Sequence, residues 1–149
     1  MALTRETSAG YMTNWAARLF TRELERQLAP TGIAPAYMPV LFALADGGTL
    51  TQKELARRAA VEQPTMAMTL NRMLRDGMIT RQPDPTDRRC TLVTLTPLAL
   101  GQIDAVERVA SAINALALEQ LAPDERSQFL ALLGRVIAVL EAQDKTLGD

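Results

Sequence analysis

Between Thr51 and Thr96 the chain is punctuated so closely that few folds remain open to it. Thr51-Gln52-Lys53-Glu54 has the form of a capping box, in which Thr51 caps a helix and Glu54 reaches back to it. Leu55, Ala56 and Ala59 give the short helix that follows an apolar side. Ala60-Val61-Glu62-Gln63 makes a tight connection, and Pro64 falls in the first turn of a second helix, where its missing N–H is not needed. That helix is expected to run to about Asp76, with Gly77 as its left-handed C-terminal cap. Met78-Ile79-Thr80-Arg81 and Thr91-Leu92-Val93-Thr94-Leu95 then read as two strands. Between them lies Pro83-Asp84-Pro85-Thr86-Asp87-Arg88-Arg89, a turn-rich segment with charges at its tip. The expectation is a β-hairpin with a long basic loop.

The flanks are helical. Tyr11, Trp15, Leu19, Leu24 and Leu28 recur at helical steps, Phe20 widens the stripe, and Pro30 with Gly32 ends the helix. Pro35 opens another, carrying Val40, Leu41 and Leu44, which stops at Gly47-Gly48. Beyond the hairpin, Thr96-Pro97 predicts the start of one long helix bearing Ile103, Val106, Val109, Ala110, Ile113 and Leu116. Pro123-Asp124-Glu125 begins a last helix, with acidic residues at its positive end. Phe129, Leu132, Leu133, Val136, Ile137 and Leu140 form its apolar stripe. The predicted class is mainly α with a small β-hairpin wing: a winged helix-turn-helix embedded in a helical scaffold. We read residues 1–149 as a single domain, with scaffold helices over about 1–30 and 97–146 and the winged unit over about 35–96.

Composition decides which functions are open. The 149 residues carry 16 basic and 17 acidic side chains, so no global positive field points to nucleic acid. The centre differs: from Leu50 to Thr96 there are eight basic residues against five acidic ones, leaving acidic flanks. Histidine is absent, which removes the commonest general base and the commonest transition-metal ligand. The lone cysteine, Cys90, excludes an internal disulfide and a Cys-rich zinc site. No Gly-rich phosphate loop or nucleophile motif is present, so we expect neither an enzyme nor a bound cofactor or metal. With no charged leader and no 18-residue apolar run, the expected location is cytoplasmic.

In a winged helix-turn-helix the first helix crosses the phosphate backbone and braces the second, which enters the major groove. Thr51 and Lys53 belong to the bracing helix. On the second helix, at about 100° per residue, Met66, Leu70, Met73 and Gly77 share the inner side. Thr65, Met68, Arg72 and Arg75 lie opposite. Gln63, Thr65, Met68 and Thr69 occupy the N-terminal half that reaches base edges: Gln63 and Thr65 as hydrogen-bonding groups, Met68 against thymine methyls. The wheel alone fits an ordinary solvated helix face equally well.

The wing narrows the choice. Asp84-Pro85-Thr86-Asp87-Arg88-Arg89 followed by Val93-Thr94-Leu95-Thr96 resembles the MarR family of regulators. Leu50-Thr51-Gln52-Lys53-Glu54-Leu55-Ala56 and Asp76-Gly77-Met78-Ile79-Thr80-Arg81 also look like segments of that family. The resemblance implies a DNA-binding transcription regulator, a repressor released by a small ligand, whose wing places Arg88 or Arg89 in the minor groove with Asp87 orienting the guanidinium by a salt bridge. It implies that the first helix and the last two interlace with a second copy, so that the scaffold is a dimerisation scaffold and the operator roughly palindromic. Many family members are basic where this chain has Met68, so an operator sequence does not carry over. The family's small aromatic ligands suggest Tyr11, Trp15 and Arg18 as a binding group; the alternative is that Trp15 is core and Arg18 pairs with an acidic neighbour. Some members sense oxidants through a cysteine in the first helix region, absent here; Cys90 reads as a passive strand thiol, with redox sensing as the alternative. The competing function is a winged-helix protein-interaction module without DNA specificity.

Overall fold

The computed structural model describes residues 2–147. Helix α1 spans Ala9–Leu28, and the Ser8 side chain caps it by accepting the Tyr11 N–H at 3.1 Å. A 3-10 turn over Ala29–Thr31 follows, closed by Gly32 at φ 73°. A second 3-10 turn, Pro35–Tyr37, leads into α2, Met38–Ala43. Helix α3 covers Gln52–Ala59 with the capping box formed as expected: the Thr51 N–H donates to Glu54 Oε2 at 2.8 Å and the Glu54 N–H to Thr51 Oγ1 at 3.2 Å. Ala60 closes this helix in the left-handed region, at φ 54°. Helix α4 spans Gln63–Arg75 with Pro64 in its first turn. Gly77, at φ 73°, ends α4 by letting the Met78 N–H reach the Met73 carbonyl at 2.8 Å.

The hairpin forms from β2, Ile79–Pro83, and β3, Thr91–Leu95, in a register that pairs Ile79 with Leu95 and Pro83 with Thr91. Alternation puts Val93 and Leu95 on the buried face. A third strand joins them: β1, Leu50–Thr51, pairs antiparallel with β3 and gives the order β1-β3-β2. A two-residue strand is shorter than any period a sequence pattern can display, and Thr51 read only as a helix cap.

The single helix expected after Thr96-Pro97 is two. Helix α5 covers Pro97–Leu100 and α6 covers Ile103–Ala117. At the join the Gln102 N–H bonds back three residues, to the Ala99 carbonyl, and four-residue bonding resumes only with Val106 onto Gln102. Gly101, a weak helix former, stands where the ladder breaks. Helix α7 runs over Pro123–Leu147, and Glu125 Oε1 accepts the Ala122 N–H at its start, 2.8 Å away.

Two compact units divide the chain, Met1–Ser111 and Ala112–Asp149. The first holds the continuous core, in which Leu28, Tyr37, Val40, Leu41, Leu44, Leu55, Met66, Leu70, Met73, Ile79 and Val93 are essentially inaccessible. The second contains α7, whose apolar residues from Phe129 to Leu140 are largely uncovered: Phe129 is 44% exposed, Val136 46% and Leu140 63%.

Candidate nucleic-acid interface

Three elements of the first unit, α3, α4 and the hairpin, carry the basic centre of the sequence. On α3, Lys53 is exposed. Thr51 commits its N–H and its hydroxyl to Glu54, so its part is to fix the start of the bracing helix. The Glu54 carboxyl is held below its ordinary pKa, first by the Thr51 N–H, then by the Thr51 hydroxyl.

Met66, Leu70 and Met73 anchor α4 in the core, each 2% exposed or less. Thr69 departs from the expectation that it reads bases: it is 9% exposed. Three residues from Met66 and four from Met73, it shares their inner face. Gln63, Thr65, Met68 and Arg72 are all exposed. Met68 is 69% exposed, a large apolar side chain standing in solvent at the middle of the helix.

The C-terminal end of α4 is organised around Asp76. The buried Tyr37 hydroxyl donates to Asp76 Oδ2 at 2.5 Å, and Arg75 Nε meets Asp76 Oδ1 at 3.1 Å. The Arg72 guanidinium lies over the Tyr37 ring, 5.5 Å from its centroid, so its orientation is restrained rather than free. A carboxylate at a helix C-terminus faces the negative end of the dipole. Here the Tyr37 hydrogen bond and then Arg75 hold the Asp76 carboxyl below its ordinary pKa, so it stays ionised. Burial, followed by the hydrogen bond to Asp76, pushes the Tyr37 phenol up.

Two residues were missed in the sequence. Asn71 is exposed on α4, and its Oδ1 accepts from Arg81 Nη1 of β2 at 2.9 Å. Asn71 follows Met68 by three residues and precedes Arg75 by four, so it borders the face that those two share, on the Arg75 side. Arg81 gives no local signal, because its partner lies across the turn at Gly77.

The wing loop is closed by its own aspartates. Asp84 Oδ1 accepts from the Thr86 N–H at 2.8 Å and the Thr86 hydroxyl at 2.7 Å, and the Asp84 N–H reaches the Cys90 carbonyl at 3.0 Å. Asp87 Oδ1 accepts the Arg89 backbone N–H at 3.1 Å and pairs with Arg89 Nε at 3.3 Å. Of the two arginines, Asp87 therefore holds Arg89, whose side chain is 92% exposed. Arg88 is exposed and engages no partner among the described residues. Cys90 Sγ points toward Asp87 Oδ2 at 3.6 Å, and burial, then that carboxylate, raises its thiol pKa, which disfavours the reactive thiolate.

On α1, Tyr11 and Arg18 are exposed and line a shallow depression with Ser8 and Asn14. Trp15 is half-buried, and the cation over its indole is Arg5, at 5.0 Å, in place of Arg18. Among the described residues no cluster of metal-ligating side chains occurs, and no helix is long and apolar enough to cross a membrane.

A family model described as MarR family matches residues 31–89, the span from the end of α1 through the wing tip. The HTH-type transcriptional repressor NicR of Pseudomonas putida is 30% identical over 128 residues, covering 86% of this chain and 81% of that protein. Among solved structures, the PcaV transcriptional regulator of Streptomyces coelicolor in complex with its natural ligand superposes with a TM-score of 0.83 at 25% identity, covering 93% of this chain and 97% of that one. A variant of MarR from E. coli complexed with operator DNA gives 0.78 at 24% identity, over 85% and 91% of the two chains. Element order, capped helix-turn-helix, aspartate-held wing arginine and near full-length similarity to NicR agree: the chain belongs to the MarR family of winged-helix transcriptional regulators.

Proposed function

We propose that this chain is a sequence-specific regulator that binds duplex DNA as a homodimer, represses transcription, and is released by a small aromatic ligand. The observation that carries the reading is the pairing of an exposed face on α4, led by Met68, with a wing whose Arg89 is held outward by Asp87. In this reading Lys53 meets backbone phosphate, and Gln63, Thr65 and Met68 meet base edges in the major groove. Arg72 acts from its place over Tyr37, Arg89 serves the minor groove, where a planar guanidinium suits the narrow, negative channel, and Arg88 adds charge toward the backbone phosphates. Thr69 is left out, and Thr51 contributes through the cap. NicR is named a repressor, and the MarR variant was solved on operator DNA, which favours the same role here. A regulator of this kind works in the cytoplasm.

Dimerisation rests on residues of about 1–30 and 97–146, with about 35–96 as the reading unit. The uncovered apolar face of α7 supports it, since exposed patches of this kind mark interaction surfaces. Ligand release rests on Tyr11, Trp15 and Arg18, to which Arg5 is added by its position over the indole. The PcaV complex with its natural ligand lends weight to that part.

Selection of duplex sites with purified protein, followed by titration of the selected site against salt, tests the reading. A dimer should select a roughly palindromic site whose half-sites lie about one helical turn apart or a multiple of it. Log affinity should fall with log salt at a slope of about 0.9 per phosphate contact. Binding that is absent, or indifferent to sequence, would favour the protein-interaction module instead.

A further inference from the structure

We infer that Met68 is a reversible oxidation site on the DNA-reading face: a hydroperoxide that converts its thioether to the sulfoxide weakens operator binding, and reduction restores it. The inference rests on the DNA-binding reading above and deepens it at one residue. Met68 is 69% exposed in the middle of α4, so an oxidant in solution reaches its sulfur directly. The other described sulfur atoms of the winged unit are shielded. Met66, Met73 and Met78 are buried and Met38 is half-buried. Cys90 is half-buried with its Sγ 3.6 Å from Asp87 Oδ2, and a thiol attacks peroxide as the thiolate, which a neighbouring carboxylate opposes. A thioether has no proton to lose and needs no such activation. Met12, 45% exposed, stands on α1, outside the proposed reading unit.

The chemistry is a single oxygen transfer. A sulfur lone pair attacks the terminal oxygen of the hydroperoxide, the O–O bond breaks and an S–O bond forms. The terminal oxygen's proton passes to the departing oxygen, which leaves as water or an alcohol; sulfur is oxidised and the peroxide reduced. The product replaces an apolar, flexible side chain by a polar one. Opposite a thymine methyl the apolar contact is lost. The sulfoxide oxygen accepts hydrogen bonds and offers no donor, so it also meets the neighbouring thymine O4 acceptor to acceptor. Oxidation should therefore strike one base step in each half-site, the step where Met68 lies on a methyl group, and the phosphate contacts should remain.

The full chain and Met68→Leu, whose side chain peroxide cannot oxidise, are each treated with hydrogen peroxide. Peptide masses locate the sulfoxides, and thermal unfolding checks that the fold is kept. Both proteins retain Met12 and Cys90, so whatever peroxide does there is common to them. Each is titrated before and after treatment against the selected duplex, and against duplexes with deoxyuridine, which lacks only the methyl group, at each thymine in turn. Untreated wild type should bind thymine about fourfold more tightly than deoxyuridine at one step per half-site, the worth of one buried methyl-sized group. With Met68 oxidised that preference should vanish and affinity should fall by at least as much; methionine sulfoxide reductases should restore both. Met68→Leu, whatever its starting affinity, should lose nothing further on treatment. A Met68 that stays unoxidised while Met12 reacts, a thymine preference that is absent at the outset or survives the sulfoxide, or an equal loss in Met68→Leu overturns the inference. Untreated wild type that selects no sequence overturns the DNA-binding reading itself, whereas a selective wild type indifferent to the Met68 sulfoxide overturns only the inference drawn here.

Discussion

Asp76 sits where helix electrostatics is least welcoming, and the structure surrounds it with a phenol and two arginines. Its pKa is lowered in the folded state from an ordinary 3.8, so the stability it contributes is complete above that value and lost as pH falls through the folded pKa. Tyr37 runs the other way: its raised pKa adds stability that is present below the ordinary 10.0 and lost as pH rises through the folded value. Tyr37→Phe, which keeps the ring under Arg72, should be less stable than wild type across the neutral range, and the gap should narrow toward both extremes. Urea unfolding at a series of pH values checks this; a gap that stays constant into acid would show that the Tyr37–Asp76 bond is not its source. At the wing, Arg89→Ala should weaken operator binding and erase the preference for A·T-rich flanks. Asp87→Ala should do so more mildly, and Arg88→Ala should weaken all sequences alike. Titrations of flank variants at fixed salt separate the three, and equal losses at Arg88 and Arg89 would deny Asp87 its role. That Asp87 holds one of the two wing arginines was implied by the family resemblance, and the structure singles out Arg89. The Tyr37–Asp76 bond was not legible in the sequence, because it spans 39 residues and no local pattern couples its ends.

At the level of elements, the caps were readable and the breaks were not. A capping box and a left-handed glycine are local chemistry, so α3 and the end of α4 fell where Thr51, Glu54 and Gly77 put them. The strand Leu50–Thr51 depends on a partner far along the chain, and the interruption at Gly101 is a local change of bonding across which the apolar spacing continues, so sequence periodicity registers neither. The two left-handed residues give opposite forecasts. A Cβ at Gly77 would meet nothing within 4 Å, so Gly77→Ala should lose only the backbone term, about 1–2 kcal/mol. Ala60 already bears that strain at φ 54°, so Ala60→Gly should leave stability unchanged or raise it by up to about 1 kcal/mol. Denaturant midpoints at constant m-value would check both; destabilisation by Ala60→Gly would place the strain elsewhere. For α7, a full buried Leu is worth about 1.5–3 kcal/mol, and its half-exposed apolar residues forgo much of that in a lone chain. Deletion from Pro123 onward should therefore abolish self-association and operator binding together, as read by sedimentation and by titration. A soluble, monomeric truncation with undiminished affinity would show the dimer reading wrong.

For the molecule as a whole, the shared residue Thr51 has a kinetic consequence. It closes the two-residue strand against Leu92 and in the same position caps α3, so one backbone unit belongs to both the sheet and the helix-turn-helix. Neither can open at that point without the other. Amides at the start of α3 and in the middle of β3 should therefore exchange with solvent deuterium as one cooperative group, with a common opening free energy and a common response to denaturant. The wing tip around Thr86 and Arg88, held only by short-range aspartate bonds, should exchange far faster. Thr51→Ala should lower protection in β3 as well as in α3, although position 51 is read by the eye as a helix cap. Native-state exchange resolved by residue would show the two segments moving together, and separate openings would dissolve the link.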